Sequence, residues 1–569
     1  MDDSSSTGTH PMLDALRGTP HVAYFSMELA LEPSIPTYSG GLGVLAGDLM
    51  RTAADLALPM VAVTLASRRG YVRQRIEDGA QVDEPQPWDP ASAAVRVPVK
   101  VPVSVERRTV WVSAWCYRVQ TQCVTGRAMP VLLLDTDLPE NAPADRGITD
   151  VLYGDGPGLR IRQEIVLGIG GLRLLHALGA RVLKYHMNEG HAAFLALELL
   201  AAQRAAHQGE EAVEAVRRQC VFTTHTPVAS GHDRFDWALV AECLGEPVDA
   251  ALMRRLAGEQ DLNMTLLALN LSGWINGVAQ RHAELSREMF PGYVVHAITN
   301  GVHAWTWASD AHRALFDRFV PHWCVEPEML LHGSGRIPDD ALEGAHRDCK
   351  QALLDHVADA VPGARLSAEV LTIGFARRMT AYKRPHLLFE DLARLRAIAR
   401  RHPLQVLVSG KAHPADTQGK REIETLHAIA RQLEGEVPVV FLPDYGMASA
   451  RLLVAGCDVW LNTPRPPLEA SGTSGMKAAF NGVPQLSVLD GWWLEGWEEG
   501  VTGWSIDDTG SDAGDALSLY GKLEGAIAPL YYEQRAGWTA LMRNVIGRNG
   551  ALFNSHRMLR HYQLEAYSR

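Results

Sequence analysis

The residues carrying the most chemistry run from Glu469 to Lys477. A carboxylate is followed by a small-residue stretch, Ala470-Ser471-Gly472-Thr473-Ser474-Gly475, and then by an amine at Lys477. Small residues leave backbone N–H groups uncovered, and a helix starting near Ser474 adds its orphan donors and dipole, so the segment can bind an anion. Lys477 lies in the first turn, where the positive helix end disfavours protonation. A lysine with a lowered pKa is a nucleophile that can form a Schiff base.

A second group of cations sits in Arg377-Arg378-Met379-Thr380-Ala381-Tyr382-Lys383-Arg384, between a strand ending near Phe375 and a helix with Leu388, Leu392 and Leu395 on its apolar face. On a chain of formal net charge −12, such a cluster focuses positive field on one point, with planar Arg forks and a Lys point charge suited to phosphate. Ser39-Gly40-Gly41-Leu42-Gly43 precedes an apolar helix-like run and offers further backbone donors. Gly41-x-Gly43-x-x-Ala46 satisfies a dinucleotide fingerprint only formally. The preceding strand ends near Phe25, and Val61–Thr64 supplies no acid for a ribose.

Three polar loops follow strands: His186-Met187-Asn188-Glu189-Gly190-His191, Thr223-Thr224-His225-Thr226-Pro227 and Thr299-Asn300-Gly301-Val302-His303. The helical spacing of a His-Glu-x-x-His zinc site is missing, and Asp135-Thr136-Asp137 has no third ligand nearby, so no metal is expected. Asn188 and His191 are expected to hydrogen-bond sugar hydroxyls or to brace a neighbouring loop.

The elements that position these loops alternate. Buried strands are expected at His21–Phe25, Met60–Leu65, Val131–Leu134, Val182–Tyr185 and Cys220–Thr223. A second series follows at Val370–Phe375, Leu404–Val408, Val437–Leu442 and Val459–Leu461, with helical patterns between most of them. The 569 residues exceed one hydrophobic core. The expectation is a flexible N-terminus (1–18), an α/β domain (19–305), a helical connection (306–365), a second α/β domain (366–530) and C-terminal helices (531–569) that cross back to brace the first. The fold class is thus α/β, with ligands at the carboxyl ends of the strands, in the cleft between domains. The acidic charge disfavours nucleic acid and anionic lipid. No signal-peptide pattern or membrane-length apolar run occurs, which points to the cytoplasm. Seven scattered cysteines without a Cys-x-x-Cys pair read as reduced thiols.

These motifs resemble the pyridoxal-phosphate-dependent α-glucan (glycogen/maltodextrin) phosphorylases, in a short form. The similarity runs from His21-Val22-Ala23-Tyr24-Phe25-Ser26-Met27-Glu28 to about Gly503 and is most specific in Glu469–Lys477. The resemblance implies two Rossmann-like doubly wound domains facing a central cleft, the glycosyltransferase B-type arrangement. It also implies that Lys477 carries pyridoxal 5'-phosphate, with Thr473, Ser474 and Arg377 near the cofactor phosphate and Tyr445 beside the cofactor. The Gly41 amide, Arg378 and Lys383 would hold the substrate phosphate. Glu469, Ser471, Gly472, Asn300 and His225 would line the glucosyl site, with the His225 carbonyl facing the anomeric centre.

The implied reaction is reversible phosphorolysis of terminal α-1,4-glucosyl units of glycogen or maltodextrin by inorganic phosphate, giving α-glucose 1-phosphate with retention. A homodimer or higher oligomer is the implied assembly. The chain departs from larger members in its length, in Gly446 after Tyr445 where many carry arginine, and in Trp492, Trp493 and Trp497. No phosphorylation switch or nucleotide effector site is expected. The rivals are a retaining nucleotide-sugar glucosyltransferase of the glycogen-synthase kind, whose Glu-x7-Glu pattern meets Lys477 at its second carboxylate, and a non-catalytic glucan-binding homologue.

Overall fold

The computed structural model describes residues 11–568 apart from 125, 205–208, 229–230 and 246–248. Two large sheets organise it. The first contains β1 (His21–Ser26), β2 (Met60–Leu65), β3 (Arg108–Gln120), β4 (Ala128–Asp135), β5 (Val182–Asn188), β6 (Cys220–Thr223), β7 (Trp274–Gly277) and β8 (His296–Ala297). Their spatial order is β8-β7-β6-β5-β1-β2-β4-β3, with Val95–Arg96 at the far edge and Val101–Val105 also paired to β3. From β8 to β4 all pairs are parallel, for example Val22 against Met60 and Ser26 against Asn188. Every residue of β2 is buried, as expected for a strand covered by helices on both faces.

The β3 edge departs from the expected parallel winding. β3 runs antiparallel to β4 and to its two outer neighbours. Val101–Val105 alternates buried and exposed positions, the period-two pattern of a strand with one wet face. Glu106 and Arg107 make the intervening turn with φ of 51° and 59°, the left-handed pair that matches hairpin twist.

The second sheet contains β9 (Leu371–Ala376), β10 (Leu404–Ser409), β11 (Val439–Leu442), β12 (Val459–Asn462), β13 (Gln485–Val488) and β14 (Gly503–Ile506). It is wholly parallel, in the order β11-β10-β9-β12-β13-β14. Within this sheet that is the 3-2-1-4-5-6 order of dinucleotide-binding folds, whose ligand crevice opens where the order reverses, between the first and fourth strands. The basic cluster follows β9, and Glu469–Lys477 follows β12.

Between the sheets, helices fill residues 304–360, ending in Asp339–Ala360. Lys350 of that last helix is buried with its Nζ 2.6 Å from Asp458 Oδ2 and 3.1 Å from Tyr531 Oη. A hairpin, Arg73–Glu77 with Ala80–Glu84, reaches from the first unit to the second. Gln74 Nε2 donates to Gly410 O and Gln81 Nε2 to Ala412 O, at 2.8 and 2.9 Å.

The C-terminal helical segment lies on the first sheet. Asn276 Nδ2 donates to Tyr562 Oη at 3.0 Å, and Tyr567 Oη is 2.7 Å from His186 Nδ1. His186 is thereby a buried brace. Among the described residues, no helix is long and apolar enough to cross a membrane.

Two expectations need correction. Residues 11–18 form a helix, α1 (Pro11–Gly18), because Leu13 and Leu16, three apart, dock into the core and Arg17 Nε donates to Leu178 O at 2.9 Å; residues 1–10 lie outside the described residues. The cysteines are not all free: Cys123 and Cys324 form a disulfide with a Cα–Cα distance of 5.6 Å. Their sequence separation of 201 hid the pair, since only the fold brings the β3–β4 loop to the helical connection.

Candidate active site

A cavity of about 1030 Å³ opens between the sheets, lined from both. On the first sheet it lies beyond β1 and β5, neighbours from which the chain next builds in opposite directions, so their loops diverge and leave a crevice. After β1 comes Glu28, 3% exposed. Its Oε2 accepts from Ser39 N at 2.6 Å and Gly40 N at 3.1 Å, while Tyr153 Oη donates to Oε1 at 2.7 Å. The glycine loop is thus tied to a carboxylate as it enters α2 (Gly41–Asp55). A Cβ added at Gly41 would meet nothing within 4 Å. Protein packing therefore does not demand glycine there, and the bare backbone leaves the amide open to the cavity.

Beyond β5, Asn188 is fully buried and does not line the cavity. Its Nδ2 donates to Ser26 Oγ at 3.0 Å, and its Oδ1 lies 2.6 Å from His225 Nε2. The expected sugar contact is corrected to a bracing one: as the last strand residue, Asn188 points along the sheet top to its neighbours. Glu189, with φ of 70°, does reach the cavity. It accepts from His225 N at 2.8 Å and Thr226 Oγ1 at 3.0 Å. His225, His191 and Asn300 all line the wall. Burial pushes both imidazoles down to about 3, so they are neutral near pH 7. His191 Nε2 is 3.4 Å from Asp233, which Arg160 pairs at 2.8 Å. Asn300 Oδ1 is buried without a partner.

Across the cavity, Glu469 Oε2 accepts from Arg377 Nη2 at 2.8 Å and from Lys383 Nζ, and Glu469 N donates to Asp490 Oδ2 at 2.9 Å. Burial raises the Glu469 carboxyl, but the two cations more than offset this and hold it below its usual range. Asp490, buried and next to that carboxylate, is pushed up to about 6. Among the described residues, Arg377 Nε and Nη1 are buried with no partner. Donors left in this state cost about 1–3 kcal/mol each unless a further acceptor satisfies them. Arg378 is exposed on the lining beside Tyr71.

Arg384, counted above with the phosphate-binding cations, faces away. Its left-handed backbone, φ 46°, turns it into the second unit, where it bonds Asp515 at 2.6 Å, Asp512 at 2.9 Å and the carbonyls of Thr463 and Pro464.

Lys477 is on α3 (Ser474–Ala479), 6% exposed, and lines the cavity with Ser471, Gly472, Thr473, Ser474 and Tyr445. Its pKa is lowered to about 8, as expected, but by burial, against a partly offsetting Asp48 charge. Gly472 has φ of 80°, a turn that lays the loop beside Glu469. Ser471 Oγ is buried and unpartnered, whereas Ser474 Oγ already accepts from Trp460 Nε1 at 3.0 Å. Trp492 and Trp493 are 1% exposed, Trp492 packing edge-on against both Trp493 and Phe553, and neither they nor Trp497 line the cavity. Glu28, Tyr153, Glu189, Tyr71, Lys411 and His413 line it without having been singled out. For Glu28 a signal existed: an acid two residues past a buried strand, upstream of a glycine loop.

A family model, carbohydrate phosphorylase, matches residues 248–501. The maltodextrin phosphorylase of Thermococcus litoralis is 39% identical, the alignment covering 96% of this chain and 70% of that one. The glycogen phosphorylase of Aquifex aeolicus is 35% identical, over 96% of this chain and 86% of its own. That of Mycobacterium tuberculosis is 37% identical, over 96% and 70%. With identity of 35–39% over 96% of its length, the chain belongs to the carbohydrate phosphorylase family.

Proposed function

We propose that the protein is an α-glucan phosphorylase that transfers the terminal α-1,4-linked glucosyl unit of a glucan to inorganic phosphate, reversibly and with retention. The observation that carries this reading is the meeting in one cavity of a buried, low-pKa amine at Lys477 with the cation pair Arg377 and Lys383 around Glu469. The reading includes a B-type glycosyltransferase architecture, with Rossmann-like halves at 19–305 and 366–530, and a cytoplasmic location.

The residues fit pyridoxal phosphate. An unprotonated amine is accessible near neutral pH, Arg377 has two buried unpartnered donors, and Thr473 stands at the start of α3. When bound, the cofactor supplies a phosphate group that exchanges a proton with the substrate phosphate; its ring is an anchor. Lys477 holds it, with Arg377, Thr473, Ser474 and Tyr445 beside it. Arg378, Lys383 and the Gly41 amide take the substrate phosphate. Glu469, Ser471, Gly472 and Asn300 hydrogen-bond the glucosyl hydroxyls, and the His225 carbonyl faces the anomeric carbon, with its loop fixed by Glu189 and Asn188. His191 with Asp233 closes the acceptor side. The glycosidic C1–O bond breaks, its oxygen takes a proton from inorganic phosphate, and a phosphate oxygen bonds C1 on the same face. The cations stabilise the anion facing the oxocarbenium-like sugar.

Incubation of the cofactor-loaded protein with maltooligosaccharides and phosphate, with glucose 1-phosphate as the readout, tests this. Glucose 1-phosphate formation that Lys477→Ala abolishes is expected. Transfer from a nucleotide sugar with no phosphorolysis would overturn it in favour of the glucosyltransferase reading, which the amine at position 477 disfavours.

A further inference from the structure

α2 starts at the cavity with Gly41 and ends, about 21 Å away at 1.5 Å per residue, with Asp55. Asp55 is 1% exposed, and its Oδ2 lies 2.8 Å from His303 Nε2 and 3.4 Å from His556 Nε2. One ligand atom from each of Asp55, Cys123 and His303 falls within 4.8 Å of the other two. The Cys324 sulfur is one bond beyond, joined to that of Cys123. His556, wholly buried and stacked 5.9 Å from His303, reaches hydrogen-bond geometry with neither ring nitrogen. A buried carboxylate, two buried imidazoles and two half-buried sulfurs gathered at one point are more than a helix end needs.

We propose that, with the disulfide reduced, Cys123, Cys324, His303 and Asp55 form a tetrahedral zinc site, so that the thiol state of the cysteine pair selects between a covalent and a metal strap at the base of α2. Two thiolates, an imidazole and a carboxylate are a complete zinc donor set. Outer partners are in place. Thr121 Oγ1 donates to Asp55 Oδ1 and accepts from the amides of Cys123 and Val124 at 3.1 and 3.2 Å, and Thr306 Oγ1 is 2.7 Å from His303 Nδ1. Nδ1 here accepts from the Thr306 amide, so zinc binding at Nε2 moves the imidazole proton to Nδ1, which then donates to Thr306 Oγ1. His556 then donates to the metal-bound carboxylate.

The exchange balances. A dithiol, or a phosphine with one water, gives two electrons and two protons to the S–S bond, yielding two thiols and its own disulfide or phosphine oxide, and zinc binding displaces both thiol protons to solvent. Sulfurs about 2.05 Å apart in a disulfide must separate to about 3.8 Å around zinc, a side-chain rotation open to cysteines on loops. Both straps join the β3–β4 loop to the helical connection; the zinc strap adds α2 through Asp55. Because His303 precedes the helix that carries Trp307 against Lys477, the zinc strap also reaches the cavity wall.

The test uses the full-length protein, stripped with chelator and kept either in tris(2-carboxyethyl)phosphine or oxidised with diamide, then loaded with zinc chloride, desalted and assayed for metal. About one zinc per chain is expected in the reduced protein, at least about tenfold less in the oxidised protein and in Cys123→Ser or Cys324→Ser. Cobalt(II) added to the reduced wild type gives a readout without mutation: thiolate-to-cobalt charge transfer and tetrahedral d–d bands. A reduced wild type that retains no zinc, or one that binds cobalt without thiolate bands, overturns the proposal. So does unchanged zinc in both serine variants.

Discussion

Lys477 Nζ sits 4.2 Å from the centre of the Trp307 ring, whose Nε1 donates to Asp48 Oδ2 at 2.7 Å. The amine therefore rests on an aromatic face, with the one carboxylate that raises its pKa held at the far edge of the same indole. Burial outweighs that carboxylate and brings Lys477 to about 8. The sign follows: below about pH 8 the protonated, unreactive form predominates over a minority of free base, and above it the free base dominates. Reductive trapping of pyridoxal phosphate by the cofactor-free protein is expected to rise through an inflection near 8. In Asp48→Asn, where the raising charge is gone, the inflection moves lower. An inflection near the ordinary lysine value in the wild type contradicts the burial argument. In folding, the same depression means that the unfolded chain holds this proton more tightly, so the group's contribution to stability grows as pH rises from about 8 to about 10.5.

Two neighbouring arginines separate binding from folding. Arg378 is exposed on the cavity lining, so Arg378→Ala is expected to raise the phosphate KM roughly tenfold or more, the loss of a charge-assisted bond, while the melting temperature stays within error. Arg384→Ala leaves Asp515 buried and unpaired and costs about 3–5 kcal/mol. Phosphate KM measured on its folded fraction remains that of the wild type. A raised phosphate KM in Arg384→Ala would refute the assignment of the two side chains to opposite faces.

Glu469 pairs with the cations that, in the proposed reaction, also hold anions. Glu469→Gln keeps the shape but removes the charge, leaving Arg377 and Lys383 facing each other with no anion between them. Activity falls by at least about a hundredfold, and stability drops by about 3 kcal/mol. Added phosphate raises the variant's melting temperature by more than that of the wild type, because the ligand replaces a missing charge rather than joining an existing one. Equal shifts in thermal unfolding with phosphate would show that the cations do not hold it.

Much of this site was legible because parallel sheets place function at strand ends, and the strands are apolar runs that periodicity finds. β2 and β6 have the bounds expected of them, and Glu469, Lys477, Arg377 and Lys383 meet as their motifs require. What sequence hid depends on backbone sign and register. Arg384 leaves the cluster because of one left-handed φ. Trp492 packs behind the loop because Phe553, far along the chain, covers it, and Trp493 packs against Trp492. The low pKa of Lys477 was anticipated from the helix start, yet its cause is enclosure, which only the assembled cavity supplies. The β3 edge alternates in a way that sequence does show, but its antiparallel pairing rests on a turn, Glu106-Arg107, without the Asn or Gly that usually announces one.

Asn188 offers the sharpest test of register. It pairs with Ser26 on β1 and with His225 beyond β6, behind the cavity wall, so in the proposed reaction any effect on the glucan runs through the His225 loop. Asn188→Ala removes one buried hydrogen bond to the His225 ring, about 1–3 kcal/mol, and frees the imidazole to rotate. The expected result is a fall in kcat of roughly tenfold with the KM values for phosphate and glucan little changed, since nothing that binds either ligand is lost. A glucan KM that rises in step with the loss of kcat would mean that the side chain touches the sugar. Asn188→Asp separates the two cases: its carboxylate can still accept from His225 Nε2, but it cannot donate to Ser26. Partial recovery of kcat in that variant supports the bond to His225 as the one that matters, and recovery absent from it places the effect at Ser26.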